Sequence, residues 1–244
     1  MQLSLPTPAS ALAIAAHSDD VEFGCGATFA KWSAAGATVH HFICTDGSKG
    51  SWDPATDVRA LAAQRQAEQR AAAAALGAIG RVVFGGWTDG ELEVSLEGRA
   101  AIARCIRELK PEVVLTHDPW RRYRLHPDHR AAGFLALDAI VAARDPHFLT
   151  ELGVAAWRPS HVLLFDLNDD DVDHVEDVTG FADQKLAALL AHTSQLRSTM
   201  DIEVGSDDET AQRARFHRRV LDELESAGRR AGLAQAEPFK HLVP

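Results

Sequence analysis

Five short, almost continuously apolar runs recur along the chain: "ALAIAA" (11–16), "TVHHFICT" (38–45), "RVVFGG" (81–86), "EVVLTH" (112–117) and "HVLLFDL" (161–167). Between them lie stretches of helical character: 21–36, stopped by Gly36; the Ala-rich 56–77, ending at Gly77; about 97–109; and about 127–143, opened by Pro127. Strands that are apolar on both faces need cover on both sides, and a helix after each strand provides it. The pattern predicts an α/β fold, a mostly parallel sheet with helices on both faces. In such sheets ligands collect outside the carboxyl ends of the strands. His17, Asp46, Asp89 and the stretch 117–129 each follow a predicted strand, so they should gather on one rim. Beyond residue 167, "DVDHVEDV" (171–178) reads as another strand, 180–197 as a helix and about 207–228 as a polar helix before the tail "EPFKHLVP". The 244 residues show neither repeat nor linker. The expected organisation is one domain, 1–244, with a motif-bearing core over about 11–200 and an extension over about 201–244.

Two polar stretches interrupt this apolar rhythm at chemically informative places. "AHSDDV" (16–21) puts His17, Asp19 and Asp20 directly behind the first strand. Ser18, Asp19 or Asp20 could cap the following helix. Alternatively, His17 and Asp20 can converge on one divalent ion at about 2.0–2.2 Å, leaving Asp19 beside it as a base. "RLHPDHRAAG" (124–133) carries His126 and His129, three residues apart, with Pro127 holding His126 extended. Taken alone, it also fits a helix start with solvated histidines. Together the stretches supply two imidazoles and a carboxylate with an open position, plus a spare carboxylate and a spare imidazole. That is a hydrolytic zinc arrangement, in which a water made acidic by the metal becomes the nucleophile.

The composition removes other classes. A net charge of −10 lacks the basic footprint of a nucleic-acid binder, and an anionic membrane surface would repel it. No apolar run reaches the ~20 residues needed to cross a bilayer, and residues 1–10 lack the basic and apolar regions of a signal peptide. Cys25, Cys44 and Cys105 form no C-x-x-C pair, which fits a reducing, cytoplasmic setting better than a disulfide framework. "GCGATF" has Phe29 where a dinucleotide fingerprint needs its third glycine. Close helix–sheet packing is the simpler use of Gly24 and Gly26. "DLNDDDVDHVED" (166–177) has Asp171 where a calcium loop requires glycine.

The two histidine-bearing motifs, with "TDGSKG" (45–50), "RQAE" (65–68), "TDGEL" (88–92), "KPEVVLTHDP" (110–119) and "HTSQ" (192–195), resemble the LmbE-like and PIG-L-like metal-dependent de-N-acetylases. The resemblance implies a Rossmann-like α/β layer with its active site at the strand ends. It implies His17, Asp20 and His129 as ligands of Zn2+ (or Fe2+), Asp19 as general base, and His126 as oxyanion stabiliser or acid. Arg65 and Asp89 match positions that hold the sugar or its aglycone in relatives. His192 is expected to support the site from a helix. The implied activity is removal of an N-acetyl or related N-acyl group from a small-molecule amino sugar or its conjugate. An amidase acting on a thiol–sugar conjugate is the alternative within the family. Outside it stand a nucleotide-dependent oxidoreductase, which would need a phosphate loop, and a non-catalytic binding protein. Two positions depart from the family pattern. Ser18 replaces a proline, and Arg124 stands where mycothiol-pathway members carry a tyrosine, which points to an anionic or otherwise distinct substrate. Assembly as a homo-oligomer is left open.

Overall fold

A computed structural model of the chain describes residues 2–244. Eight strands form a single sheet: β1 (Gln2–Leu3), β2 (Ser10–Ala15), β3 (Thr38–Thr45), β4 (Val82–Trp87), β5 (Val113–His117), β6 (His161–Phe165), β7 (His174–Asp177) and β8 (Ala236–Leu242), in spatial order β1-β7-β8-β6-β5-β2-β3-β4. All neighbours pair parallel except β8, which runs antiparallel to both β6 and β7. The expected parallel α/β sheet is therefore present. The tail, whose polar sequence predicts no strand, forms β8 inside the sheet.

The helices are α1 (Asp20–Ala34), α2 (Val58–Ala75), α3 (Leu96–Leu109), α4 (Pro127–Arg144), α5 (Ala182–Leu190) and α6 (Glu209–Ala231). The period-two alternation of β2 shows why two layers are needed. Leu12 and Ile14 pack into one core with Ile102, Ile106, Leu135 and Ile140 of α3 and α4. Ala11, Ala13 and Ala15 face the other core, against Val21 and Phe29 of α1 and Ala72 of α2. Helix starts follow local chemistry. The Asp57 carboxylate accepts from Arg59 N and Ala60 N at 3.0 and 3.1 Å, and Ser95 Oγ accepts from Gly98 N at 3.0 Å.

Two buried charges join distant parts of the chain. Arg107 of α3 is 2% exposed and donates to the carbonyls of Ala142, Ala143 and Asp145 at 2.9–3.0 Å, capping the C-terminus of α4 with a cation. In α1 the backbone leaves helical geometry at Cys25 (φ −149°, ψ 22°). The helix in effect restarts there and frees N–H groups. Glu237 of β8 accepts two of them, from Ala27 N at 3.0 Å and Thr28 N at 2.7 Å, and pairs with Lys185 at 2.6 Å. The last strand is thus tied to the helix that begins at the HSDD turn. Gly24 lies where a Cβ would come within 2.5 Å of the Phe165 ring, so the expected close packing accounts for this glycine.

Helix α5 ends at Leu190, well short of the predicted 197. Beyond it the chain turns at His192 (φ −81°, ψ 66°), which directs that imidazole inward to Glu22. Among the described residues, no helix is long and apolar enough to cross a membrane.

Candidate metal and catalytic centre

The turn after β2 and the start of α4 meet at the carboxyl end of the sheet. His17 Nδ1 lies 3.2 Å from His129 Nε2 and 3.3 Å from Asp20 Oδ2, while His129 Nε2 lies 3.4 Å from Asp20 Oδ1. Tetrahedral donors about 2.0–2.1 Å from a metal stand roughly 3.3 Å apart. The three donor groups therefore have the spacing of a small divalent cation's ligands. His126, N-terminal to Pro127, places its ring 4.6 Å from that of His17 and 4.9 Å from that of His129. Its ligand nitrogen lies within 4.8 Å of theirs. His17, Asp20, His126 and His129 thus come together in one cluster.

The electrostatics describe a pocket that attracts positive charge. Burial alone would lower the pKa of His17, but hydrogen bonds to Asp128, Asp20 and Asp89 outweigh it and hold the imidazole well above its ordinary range. For His129 burial dominates and, despite Asp20, its pKa falls to about 2, so the ring is neutral near neutral pH, with a proton on one nitrogen only. Burial would raise the Asp20 carboxyl, yet His129 and His117 hold it well below the usual carboxylate range. An ionised Asp20, a neutral His129 and a His17 crowded by carboxylates form a donor set suited to a dication.

Asp19 has φ 91°, a left-handed conformation uncommon for a side chain larger than glycine. Helix α2 holds this turn. Arg65 Nη2 donates to Ser18 O at 2.7 Å and Nη1 to Gly47 O at 3.2 Å, and Asp19 N donates to Gln69 Oε1 at 3.1 Å. Gln69 in turn donates to the fully buried Glu22 at 2.8 Å, and His192 Nε2 lies 3.2 Å from the other Glu22 oxygen. Burial raises the Asp19 carboxyl to about 6, against the opposing pull of Arg65 3.7 Å away. A carboxylate with that pKa is ionised at neutral pH and is a stronger base than an exposed aspartate.

Several contributors were not singled out from the sequence. Asp128 is fully buried, lies 3.1 Å from His17 Nε2, and accepts from Gly90 N at 2.7 Å and Leu92 N at 3.2 Å. His117, at the end of β5, places Nε2 3.2 Å from Asp20 Oδ2 and joins Asp20 and His129 as a second convergent trio. Its position after a predicted strand was the available signal. Glu22 and Gln69 gave none, because their partners lie far away in sequence.

Residues 12–140 match the family model described as PIG-L: GlcNAc-PI de-N-acetylase. The chain belongs to the PIG-L de-N-acetylase family. It is 34% identical over 187 residues to diacetylchitobiose deacetylase of Thermococcus kodakarensis, covering 75% of this chain and 69% of that protein. It is 31% identical over 245 residues to 1D-myo-inositol 2-acetamido-2-deoxy-alpha-D-glucopyranoside deacetylase of Segniliparus rotundus, covering 76% and 77%. The crystal structure of N,N'-diacetylchitobiose deacetylase from Pyrococcus horikoshii, bound to an inhibitor, superposes with a TM-score of 0.83 at 28% identity, covering 97% of this chain and 84% of that one. The PIG-L assignment agrees with the acidic start of α1, where Asp20 and Glu22 in the first turn, with Asp19 just before it, would repel a dinucleotide phosphate.

The three residues expected to meet the substrate, Arg65, Asp89 and Arg124, occupy different surroundings in this PIG-L protein. Arg65 is 3% exposed and holds the HSDD turn. Asp89 is 5% exposed, with Oδ2 accepting from Lys49 N at 3.0 Å and Oδ1 lying 3.3 Å from His17 Nε2. Arg124 contacts His129 Nδ1 and pairs with Asp166. All three line a cleft of about 1050 Å3 that opens over the His17–Asp20–His129 cluster.

Proposed function

We propose that this protein is a zinc-dependent hydrolase that removes an N-acetyl or related N-acyl group from an amino sugar or its conjugate. The observation that carries this reading is the 3.2–3.4 Å spacing of the His17, Asp20 and His129 donor atoms, with Asp19 beside them. His17, Asp20 and His129 would hold the ion; ferrous iron suits the same imidazole–carboxylate set. When bound, the ion supplies Lewis-acid polarisation and a site for water.

The remaining chemistry belongs to the chain. Asp19, raised to about 6 by burial, takes the proton of the attacking water. His126, next to His17 at the rim, donates a ring N–H to the oxygen that gains charge as the amide carbonyl becomes tetrahedral. Burial and the neighbouring His17 lower its pKa, so it acts as a neutral donor. Breakdown of the tetrahedral centre breaks the C–N bond, and the proton held by Asp19 passes to the departing nitrogen. Arg65 and Asp89 keep the HSDD turn and His17 in register, and Arg124 faces the cleft where the rest of the substrate lies.

Relatives with printed activities on diacetylchitobiose and on an inositol-linked acetamido sugar support the substrate class. The test is release of free amine from N-acetylglucosamine, diacetylchitobiose and inositol-linked N-acetylglucosamine by protein reconstituted with zinc. The proposal requires hydrolysis of at least one of them, abolished by metal chelation and restored by zinc. Metal binding without amine release from any would leave a binding protein in its place.

A further inference from the structure

Asp166 occupies a position that the deacetylation chemistry above does not use. It directly follows β6 with φ 64°, a left-handed backbone for a non-glycine residue, which turns its carboxylate back over the strand ends. Four cationic or imidazole groups surround that carboxylate. Arg121 and Arg124 both form ion pairs with it. His129 Nδ1 lies 3.7 Å and His117 Nδ1 3.8 Å from the same oxygen, Oδ2. The rings of His117 and His129 are themselves adjacent, 4.3 Å between centroids. Both turn Nε2 toward Asp20, at 3.2 and 3.4 Å. The two imidazoles are thus enclosed between one carboxylate on the Nε2 side and another on the Nδ1 side.

The proton inventory of these rings requires such a partner. A histidine that binds a metal through Nε2 carries its proton on Nδ1 and needs an acceptor there, which fixes both tautomer and ring orientation. His117 has the same requirement for a different reason. His117 Nε2 faces Asp20 Oδ2 at 3.2 Å and the Ala16 N–H at 3.3 Å; once Asp20 is committed to an ion, Nε2 accepts from Ala16 N and the ring's proton is on Nδ1. That nitrogen is buried and has no hydrogen-bond partner. Arg124 contacts His129 Nδ1, but arginine only donates, so it serves that nitrogen only while it is unprotonated and gives way to an acceptor once Nε2 binds the ion and Nδ1 carries the proton. Asp166 is the carboxylate facing both Nδ1 atoms, with Oδ2 at 3.7 and 3.8 Å.

We propose that Asp166 is a positioning residue for the metal centre. It accepts the Nδ1–H of His129 when Nε2 binds the ion, orients His117 beside it, and through Arg121 and Arg124 fixes the rim segment leading to His126. The inference rests on the metal-centre reading above and adds a residue that follows β6, outside the 12–140 family match. No step of bond making or breaking passes through Asp166; its effect reaches the reaction through His129 and the rim.

The test is zinc affinity by competition with a chromophoric chelator, combined with nitrogen NMR of the histidine tautomers in zinc-loaded protein. Asp166→Asn tolerates the left-handed backbone and keeps the shape while removing the charge and one of the two acceptor oxygens, so it tests the carboxylate even if Asp166→Ala folds poorly. Loss of an outer partner of this kind weakens metal binding about 10–100-fold. Asp166→Asn should show that loss, with the His129 Nδ1–H signal weakened or exchanging faster, and Asp166→Glu should recover part of the affinity. An Asp166→Asn protein that binds zinc within twofold of wild type, with an unchanged His129 signal, overturns the inference alone. Wild-type protein that fails to bind zinc overturns both this inference and the function on which it rests.

Discussion

Asp128 offers a quantitative test because its two oxygens have separable tasks. Oδ1 accepts from Leu92 N at 3.2 Å in a buried setting, while Oδ2 accepts from Gly90 N at 2.7 Å and faces His17 Nε2 at 3.1 Å. In Asp128→Asn the amide oxygen best stays on the buried Leu92 N–H, which places the NH2 group against Gly90 N and His17 Nε2. Gly90 is exposed and can turn to water, so the stability loss should stay near ~1 kcal/mol, the low end for a stranded donor. His17 is affected differently. An NH2 group donating to Nε2 favours the tautomer with its proton on Nδ1, the nitrogen facing His129 and Asp20. Asp89, 3.3 Å from the same Nε2, still favours the productive tautomer. The loss of zinc affinity should therefore lie near tenfold, the lower end of the ~10–100-fold range for outer partners of metal-binding histidines. Asp128→Ala also removes the acceptor for the buried Leu92 N–H and should cost about 3 kcal/mol, or roughly 6–12 °C in Tm for a chain of this length. Urea unfolding and calorimetric zinc titration of both variants measure the two effects. An Asp128→Asn protein with wild-type zinc affinity, or an Asp128→Ala protein with wild-type stability, would refute this reasoning.

Further outcomes follow from the same contacts. Asp19→Asn should retain zinc by elemental analysis while amine release falls about 10²–10⁴-fold, the usual contribution of a positioned base; near-normal turnover would remove Asp19 from that role. Arg107→Ala strands several carbonyls at the end of α4 and should destabilise the fold by about 3–5 kcal/mol in urea unfolding, as expected for a mutation that disrupts a buried charge network. His41 has its pKa lowered from 6.5 to about 4 by burial, opposed by Glu22. Its neutral form is therefore favoured by folding: the stabilisation is complete above about pH 6.5 and lost as pH falls toward 4. Between pH 7 and 4.5 this amounts to about 2–3 kcal/mol. Replacing His41 with Leu should flatten the acid limb of unfolding free energy by that amount, and an unchanged slope would show the titration is unimportant.

Legibility from sequence followed the range of the interactions involved. The strand 38–45 and the helix begun by Pro127 could be placed closely because local hydrophobicity and backbone restriction decide them. Strand β8 could not, because "AEPFKHL" is polar and proline-bearing. Its place depends on Glu237 reaching N–H groups that exist only because α1 leaves helical geometry at Cys25. The same division runs through the site. His17, Asp19, Asp20, His126 and His129 lie in two compact motifs, one directly after β2 and one opening the helix that follows β5, so the topology brings both to the carboxyl end of the sheet. Asp128, though inside one of those motifs, acts through Gly90, Leu92 and His17, and only the folded chain displays those partners. Helix 180–197 was overestimated for a related reason: the helical pattern continues, but the buried Glu22–His192 contact turns the chain after Leu190.

Crystallography of zinc-loaded protein, with anomalous data collected at the zinc edge, examines the proposed centre directly. The account predicts one strong peak per chain, within about 2.0–2.2 Å of His17 Nδ1, an Asp20 oxygen and His129 Nε2, and its disappearance in His129→Ala. A peak bound elsewhere, or none at saturating zinc, would contradict it.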